Sequence, residues 1–170
     1  MVRGQVVHLA PLDRSHKEKT RAWANDPEIA RLMDRARPVS EEEHDVFYDA
    51  IARREDCVFF AIQLADGGTH VGNVWLWGID PRHRKAELRV VVGEASARGR
   101  GAGTEAIDLL CRYGFDRLNL HRIYAYVLST NPAGKRAFEA AGFVAEGVLR
   151  EDRWADGRFV DTHLLARLSA

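Results

Sequence analysis

The chain has 170 residues, 46% of them hydrophobic and 29% charged, and its 25 Lys and Arg balance its 25 Asp and Glu. That length suits a single domain over 1–170 with a real core, and zero net charge removes the basic excess that phosphate-backbone binding needs, so no nucleic acid is expected as a partner. No apolar run approaches the ~20 residues of a membrane span, so no membrane partner is expected either. Met1-Val-Arg-Gly lacks the apolar core of a signal peptide. Cys57 and Cys111 form neither a metal spacing nor a disulfide framework, and the seven histidines show no H-x-x-x-H pattern. A cytoplasmic protein without a metal is the expectation.

Val6 to Leu12 reads as a first strand. Asp13 or Ser15 caps a helix running to Trp23 or Ala24, and Pro27 starts a short helix through Met33. Ser40-Glu-Glu-Glu43 is a capping box, and the helix behind it carries Val46, Phe47, Ala50 and Ile51 on one face. Cys57–Leu64 and Val71–Trp77 are strands joined at Asp66-Gly67-Gly68. Trp75 and Trp77 stand two apart and so share a face. They are either core packing or an aromatic wall for an acceptor.

Ala86-Glu-Leu-Arg-Val-Val-Val-Gly93 is the next strand, with Glu87, Arg89 and Val91 on one face and Leu88, Val90 and Val92 on the other. It runs into Arg98-Gly-Arg-Gly-Ala-Gly103 and then into a helix from Thr104 to Phe115. Alternate glycines uncover the backbone N–H groups just where a helix N-terminus adds its own orphan donors. The result is an anion cradle, suited to phosphate or pyrophosphate. Arg98 and Arg100 add mobile positive charge. Gly101-Ala-Gly103-Thr-Glu-Ala106 also matches G-x-G-x-x-A. However, eight residues separate Val92 from Gly101, and no acidic residue lies in 120–128 to hold a ribose, so a dinucleotide site is disfavoured.

His121–Leu128 reads as a strand parallel to the one before the cradle, completing a β-α-β unit. Asn131 caps a helix from Pro132 to Ala141 that stops at Gly142. Phe143–Arg150 and Arg158–Leu168 are the last strands, joined through Trp154-Ala-Asp-Gly157. The expected class is α/β, a mixed sheet in the order β-α-α-β-β-β-α-β-α-β-β.

Arg98-x-x-Gly101-x-Gly103 resembles the R/Q-x-x-G-x-G/A pyrophosphate loop of the GNAT family of N-acetyltransferases. Asn131-Pro-Ala-Gly-Lys-Arg-Ala-Phe-Glu-Ala-Ala-Gly-Phe143 looks like that family's N-x-x-A-x-x-x-Y-x-x-x-G-F segment. Trp23-Ala-Asn-Asp-Pro-Glu-Ile29 and Asp156-Gly-Arg-Phe-Val-Asp161 are similar to the subgroup that holds ribosomal-protein and spermidine acetyltransferases. The likeness spans nearly the whole chain in the right order.

The resemblance implies acetyl-CoA as co-substrate and direct attack by a primary amine in a ternary complex. The pyrophosphate would lie on Arg98, Gly99, Arg100, Gly101, Ala102, Gly103 and Thr104. The pantetheine would pair with backbone near Val91 and Val92, where the family's central strands splay, with Asn131, Lys135 and Phe138 alongside. One N–H near Val92 would face the thioester oxygen. Glu87 is the candidate general base. Phe138 stands where many relatives carry the tyrosine that protonates the leaving thiolate, and a phenyl ring donates no proton; Ser129 is the substitute donor considered. Trp75 and Trp77 would contact the acceptor, expected to be an amino sugar, a polyamine or an amine-bearing antibiotic. The alternatives are the N-terminal amine of a protein and a non-catalytic acyl-CoA-binding module. A homodimer through the last strands is a further expectation from the family.

Overall fold

The computed structural model describes all 170 residues. The apolar, β-branched runs form one eight-stranded sheet from β1 (Val2–Arg3), β2 (Val7–Pro11), β3 (Cys57–Leu64), β4 (His70–Asp80), β5 (Lys85–Val92), β6 (Arg122–Leu128), β7 (Val144–Ala155) and β8 (Arg158–Leu168). Its spatial order is β1-β2-β3-β4-β5-β6-β8-β7. Neighbours are antiparallel except β5 and β6, which are parallel and so need a crossover. Helix α4 (Ala102–Leu118) supplies it.

The period-two alternation of β5 divides the sheet's two faces. Ala86 and Leu88 sit in the core with Leu76, Ile107, Leu110 and Ile123, under α4. Fully burying one such leucine contributes roughly 1.5–3 kcal/mol. Helix α5 (Pro132–Ala140) joins that layer through Phe138, which meets Phe143 edge-on at 4.9 Å. The opposite face, bearing Trp75, Trp77 and Arg89, lies beneath α1 (Lys17–Ala24), α2 (Pro27–Leu32) and α3 (Glu41–Ile51).

The caps agree with the sequence. Ser40 Oγ accepts from the Glu43 N–H at 3.1 Å and the Glu43 carboxylate accepts from the Ser40 N–H at 3.0 Å. Asn131 Oδ1 accepts from the Gly134 N–H at 3.0 Å. Five features differ. A short β1 precedes the expected first strand, and three helices rather than two follow β2. Asp13 caps only a 3-10 turn, Arg14–His16, ahead of α1. Helix α4 starts two residues before Thr104, because Gly101, at φ 83°, reverses the chain directly into it. Strand β7 continues beyond Arg150 to Ala155, with register shifts against β8 that the hydrophobic pattern does not encode.

Glu105, in the first turn of α4, holds the start of the sheet. Its carboxylate accepts from the N–H groups of Gln5, Val6 and Val7 at 2.9, 2.7 and 2.7 Å. Burial pushes this carboxyl up, but the three backbone donors outweigh burial and hold it below the ordinary glutamate value. A depressed carboxyl stabilises the fold above its unfolded pKa and loses that contribution as pH falls through the folded value. Glu105→Ala should therefore cost about 1–3 kcal/mol at pH 7. Denaturant unfolding should show a gap between the two proteins that narrows on acidification below about pH 4.5. A constant gap would mean that the carboxylate charge contributes nothing.

Candidate active site

Strand β5 pairs with β4 as far as Val92 but with β6 only at Lys85, Ala86 and Glu87, the last opposite Tyr124. Beyond that point β6 pairs with β8 alone. The expected splay is present, and it leaves the β6-facing backbone groups of Leu88–Val92 without a strand partner. A cleft of about 440 Å³ fills the gap, walled by Glu87, Val90, Tyr126, Asn131, Phe138 and Thr162.

At the end of β5 the chain turns into the cradle. Gly99 (φ 70°) and Gly101 (φ 83°) hold left-handed backbone that a side chain would strain. No side chain caps α4, so its first N–H groups keep their full donor capacity. An uncapped helix start of 17 residues beside a splayed strand pair fits a pyrophosphate and an extended amide-bearing arm. Arg98 is not mobile here, which corrects the expectation. Its Nε donates to the Val92 carbonyl at 3.0 Å and Nη2 to the Gly93 carbonyl at 3.2 Å, while Nη1 lies 3.6 Å from Glu28. Arg98 thus seals the end of β5. Arg100 is the exposed cation without an ion-pair partner. Ala102, Gly103 and Thr104 form the first turn of α4, and Thr104 opens onto a neighbouring depression beside Gly142 and Arg167.

The other proposed residues separate into two groups. Asn131 and Phe138 are on the cleft wall. Lys135 is not; it pairs along the helix with Glu139 at 2.6 Å. Ser129 is exposed off the cleft wall, its backbone N–H bonded to the Asp161 carbonyl. The hydroxyls that do line the cleft are those of Tyr126 and Thr162. Thr162 Oγ1 is buried with no hydrogen-bond partner. Its place in an alternating strand gave no local sign of that.

Glu87 faces the cleft with its side chain only 13% exposed. Both of its oxygens accept from Arg89, at 2.8 and 3.0 Å. The carboxylate is therefore held as an oriented ion with lone pairs left for water.

A second chamber, of about 270 Å³, lies between the sheet and α1–α3. It shares Met33, Arg35, Trp75 and Arg89 with the cleft, so the two communicate. Trp75 and Trp77 line it, as do Trp23, Phe59 and, from the expected apolar face of α3, Phe47, whereas Val46 of that face is exposed. Trp23 also closes the far end. Its ring lies against the Gly93 backbone so closely that a Cβ there would fall 2.1 Å from it. Ion pairs from Arg153 to Asp34 (3.1 Å) and Arg31 to Asp156 (3.5 Å) tie α2 and the segment after it to the β7–β8 hairpin.

Apart from those of the β7–β8 hairpin, the residues of this geometry fall within a single family match. The Acetyltransferase (GNAT) domain model covers residues 7–144. The chain belongs to the GNAT family. It is 26% identical to an N-acetyltransferase 9-like protein of Nematostella vectensis over 149 residues, 82% of this chain and 75% of that protein. It is also 26% identical to the spermidine N(1)-acetyltransferase of Escherichia coli K12, over 90% of this chain and 81% of that one. Among solved structures it resembles the spermidine N-acetyltransferase of Vibrio cholerae in complex with CoA and spermine. That match has a TM-score of 0.90 at 27% identity and covers 97% of this chain and 96% of that chain. Another structure of the same Vibrio enzyme is dodecameric, with a TM-score of 0.82 at 26% identity, covering 97% of this chain and 95% of that chain. The protein is an acetyl-CoA-dependent N-acetyltransferase, and no helix in it is long and apolar enough to cross a membrane.

Two histidines stand at the second chamber: His44, buried, lines it, and His70, half-buried, bonds to its Asn73. Burial lowers His44, helped by Arg21, Lys17 and Arg35 and opposed by Asp45. Burial likewise lowers His70, with the Asn73 side chain raising it and His16 and Lys19 lowering it. His70 Nε2 lies 2.8 Å from Asn73 Oδ1, and Asn73 Nδ2 donates to Thr20 Oγ1 at 3.0 Å. Both rings are neutral in the fold while the unfolded chain takes protons near pH 6.5, so stability is present above that value and declines as pH falls below it. Unfolding free energy should drop from pH 7 to pH 5, and the double variant His44→Gln, His70→Gln should flatten that slope. An equally steep slope in the double variant would place the proton uptake elsewhere.

Proposed function

We propose that the protein acetylates a small primary amine, with the acceptor in the chamber under α1–α3 and acetyl-CoA in the cleft between β5 and β6. Residues 1–170 act as one catalytic unit. The observation that carries this reading is the meeting of the two cavities at Trp75 and Arg89, beside Glu87. The ion pairs that strap α2 to the β7–β8 hairpin support a closed pocket for a small amine over an open groove for a protein N-terminus.

In this reading the cradle from Gly99 to Thr104 holds the pyrophosphate, and the unpaired backbone of Leu88–Val92 takes the pantetheine amides. A backbone N–H near Val92 stabilises the charge that develops on the thioester oxygen. Asn131 and Phe138 flank the arm. Glu87, oriented by Arg89, takes the ammonium proton through water, so that a neutral nitrogen attacks the thioester carbonyl. The C–N bond forms, the C–S bond breaks, the nitrogen gives its second proton to water, and the thiolate leaves and takes a proton from water; a thiol pKa near 8.5 makes it a tolerable leaving group. Direct transfer is supported by the cysteines. Neither lines the cleft, and burial pushes the Cys111 thiol up to about 12, so it offers no nucleophile.

Two further readings accompany this one. The free thiols suit a reducing cytoplasm. The outer strand β7 and its hairpin expose Val144, Val148, Trp154 and Phe159, which supports association of copies through the last strands.

Thiol release from acetyl-CoA, followed with a panel of amines and a no-amine control, tests the proposal. Glu87→Gln should lower turnover by about 10²–10⁴-fold with acetyl-CoA affinity little changed. An unaltered pH–rate profile would remove Glu87 from the mechanism. Gly101→Val places a branched side chain at φ 83° in the cradle, and calorimetry should show acetyl-CoA binding lost by a variant with a native circular-dichroism spectrum. Full affinity in that folded variant would place the pyrophosphate elsewhere.

A further inference from the structure

The lining of the acceptor chamber defines the kind of amine it takes, within the acetyl-transfer reading above. Twelve of its seventeen lining residues are hydrophobic, and none is an aspartate or glutamate. Its polar members are Thr20, His44, Asn73, Arg35 and Arg89. Thr20 and Asn73 are bonded to each other, and Asn73 also to His70. His44 is held neutral by burial and by the cations around it. The charges that remain are two guanidinium groups, one of them, Arg35, without an ion-pair partner.

Carboxylates do lie nearby, but each is already engaged. Glu87 is bidentate to Arg89. Asp34 holds Arg153 at 3.1 Å. Glu41 faces Arg21 at 3.4 Å, and Asp45 pairs with Lys17. A substrate carrying a second or third ammonium would meet like charge at Arg35 and Arg89 with no free anion to offset its lost hydration.

The aromatic walls do not replace those anions. The Arg54 guanidinium already sits 4.2 Å from the centre of the Trp77 ring. Trp75 is stacked on Phe59 at 5.4 Å with the planes 11° apart. With Trp77 occupied by one cation and Trp75 covered on one face, the rings present apolar surface rather than a cage for ammonium groups.

We propose that the acceptor is a primary monoamine on an aromatic or otherwise apolar body, and not a polyamine or an aminoglycoside. The body fills the chamber against Trp23, Phe59 and Trp75. The single amine projects past Arg89 toward the cleft, where Glu87 receives its proton. The relatives named for spermidine share the fold and the acetyl donor, and an identity of 27% leaves room for a different chamber.

The test is steady-state thiol release by the full chain with 2-phenylethylamine, hexylamine, spermidine and an aminoglycoside at matched concentrations. The kcat/KM for 2-phenylethylamine should exceed that for spermidine by about tenfold or more, the scale of discrimination that an apolar pocket supplies. Equal or higher kcat/KM for spermidine overturns the proposal. Calorimetric titration of the same amines into the CoA-saturated protein gives a readout independent of chemistry. If no amine is turned over, the catalytic reading fails, and the order of affinities still decides the chamber's preference: tighter 2-phenylethylamine supports it and tighter spermidine overturns it. Arg35→Glu, at an exposed position, should shift the preference toward spermidine by several-fold with acetyl-CoA affinity unchanged. An unshifted preference would remove Arg35 from the discrimination and leave the aromatic walls alone to account for any monoamine preference.

Discussion

The parting of β5 from β6 after Glu87 and Tyr124 is the constraint on which the rest of this structure depends. Parallel strands that stayed paired would satisfy their own backbone and leave nothing for a ligand. Parted strands expose a row of donors and acceptors that something else must meet. The opening is held from both ends. Helix α4 runs from the open end of β5 back to the start of β6, where the two strands are still paired, and Arg98 folds back onto the Val92 and Gly93 carbonyls where β5 ends. Trp23 then packs on Gly93 from the other face of the sheet. A residue that looks in the chain like a phosphate ligand is here the clasp at the end of β5.

From that opening the division of labour between the two faces follows. One face is the apolar core under α4 and α5, and it makes the sheet rigid. The other carries Trp75, Trp77, Glu87 and Arg89 and is roofed by α1–α3, which leave a chamber rather than a packed interface. Stability and chemistry are thereby assigned to opposite sides of the same strands. Glu87 belongs to the chemical side and Leu88, the next residue, to the core. The pleat separates them, so a single strand can do both.

Charge is managed in the same way. The acidic residues of α3 and the loop before it are bound by cations of the same chain, at Arg21 and Lys17 and across to Arg153. Those pairs fasten the roof helices α1 and α3 to each other and the segment after α2 to the last hairpin. They also remove the free carboxylates that would make the chamber attractive to a polycation. A neutral chain overall can therefore contain a chamber whose lining holds two guanidinium groups and no carboxylate.

The sequence by itself determined the elements whose signals are local. The capping box at Ser40, the Asn131 cap, the β-branched run of β5 and the glycines of the cradle each act within a few residues, and each appears where the pattern placed it. The order of strands and the cradle were legible for the same reason, and so was the family. Only the tertiary structure decided what the side chains do. Arg98 became a clasp, Lys135 turned along its helix to Glu139, and Ser129 stayed off the cleft wall. Glu105 proved to anchor residues 5–7, and Thr162 brought an unpartnered hydroxyl to the cleft. Those outcomes depend on partners about 100 residues away in the case of Glu105 and on the exact course of a bulged hairpin in the case of Thr162. The chamber itself is a space between elements, and a space has no residue of its own to announce it.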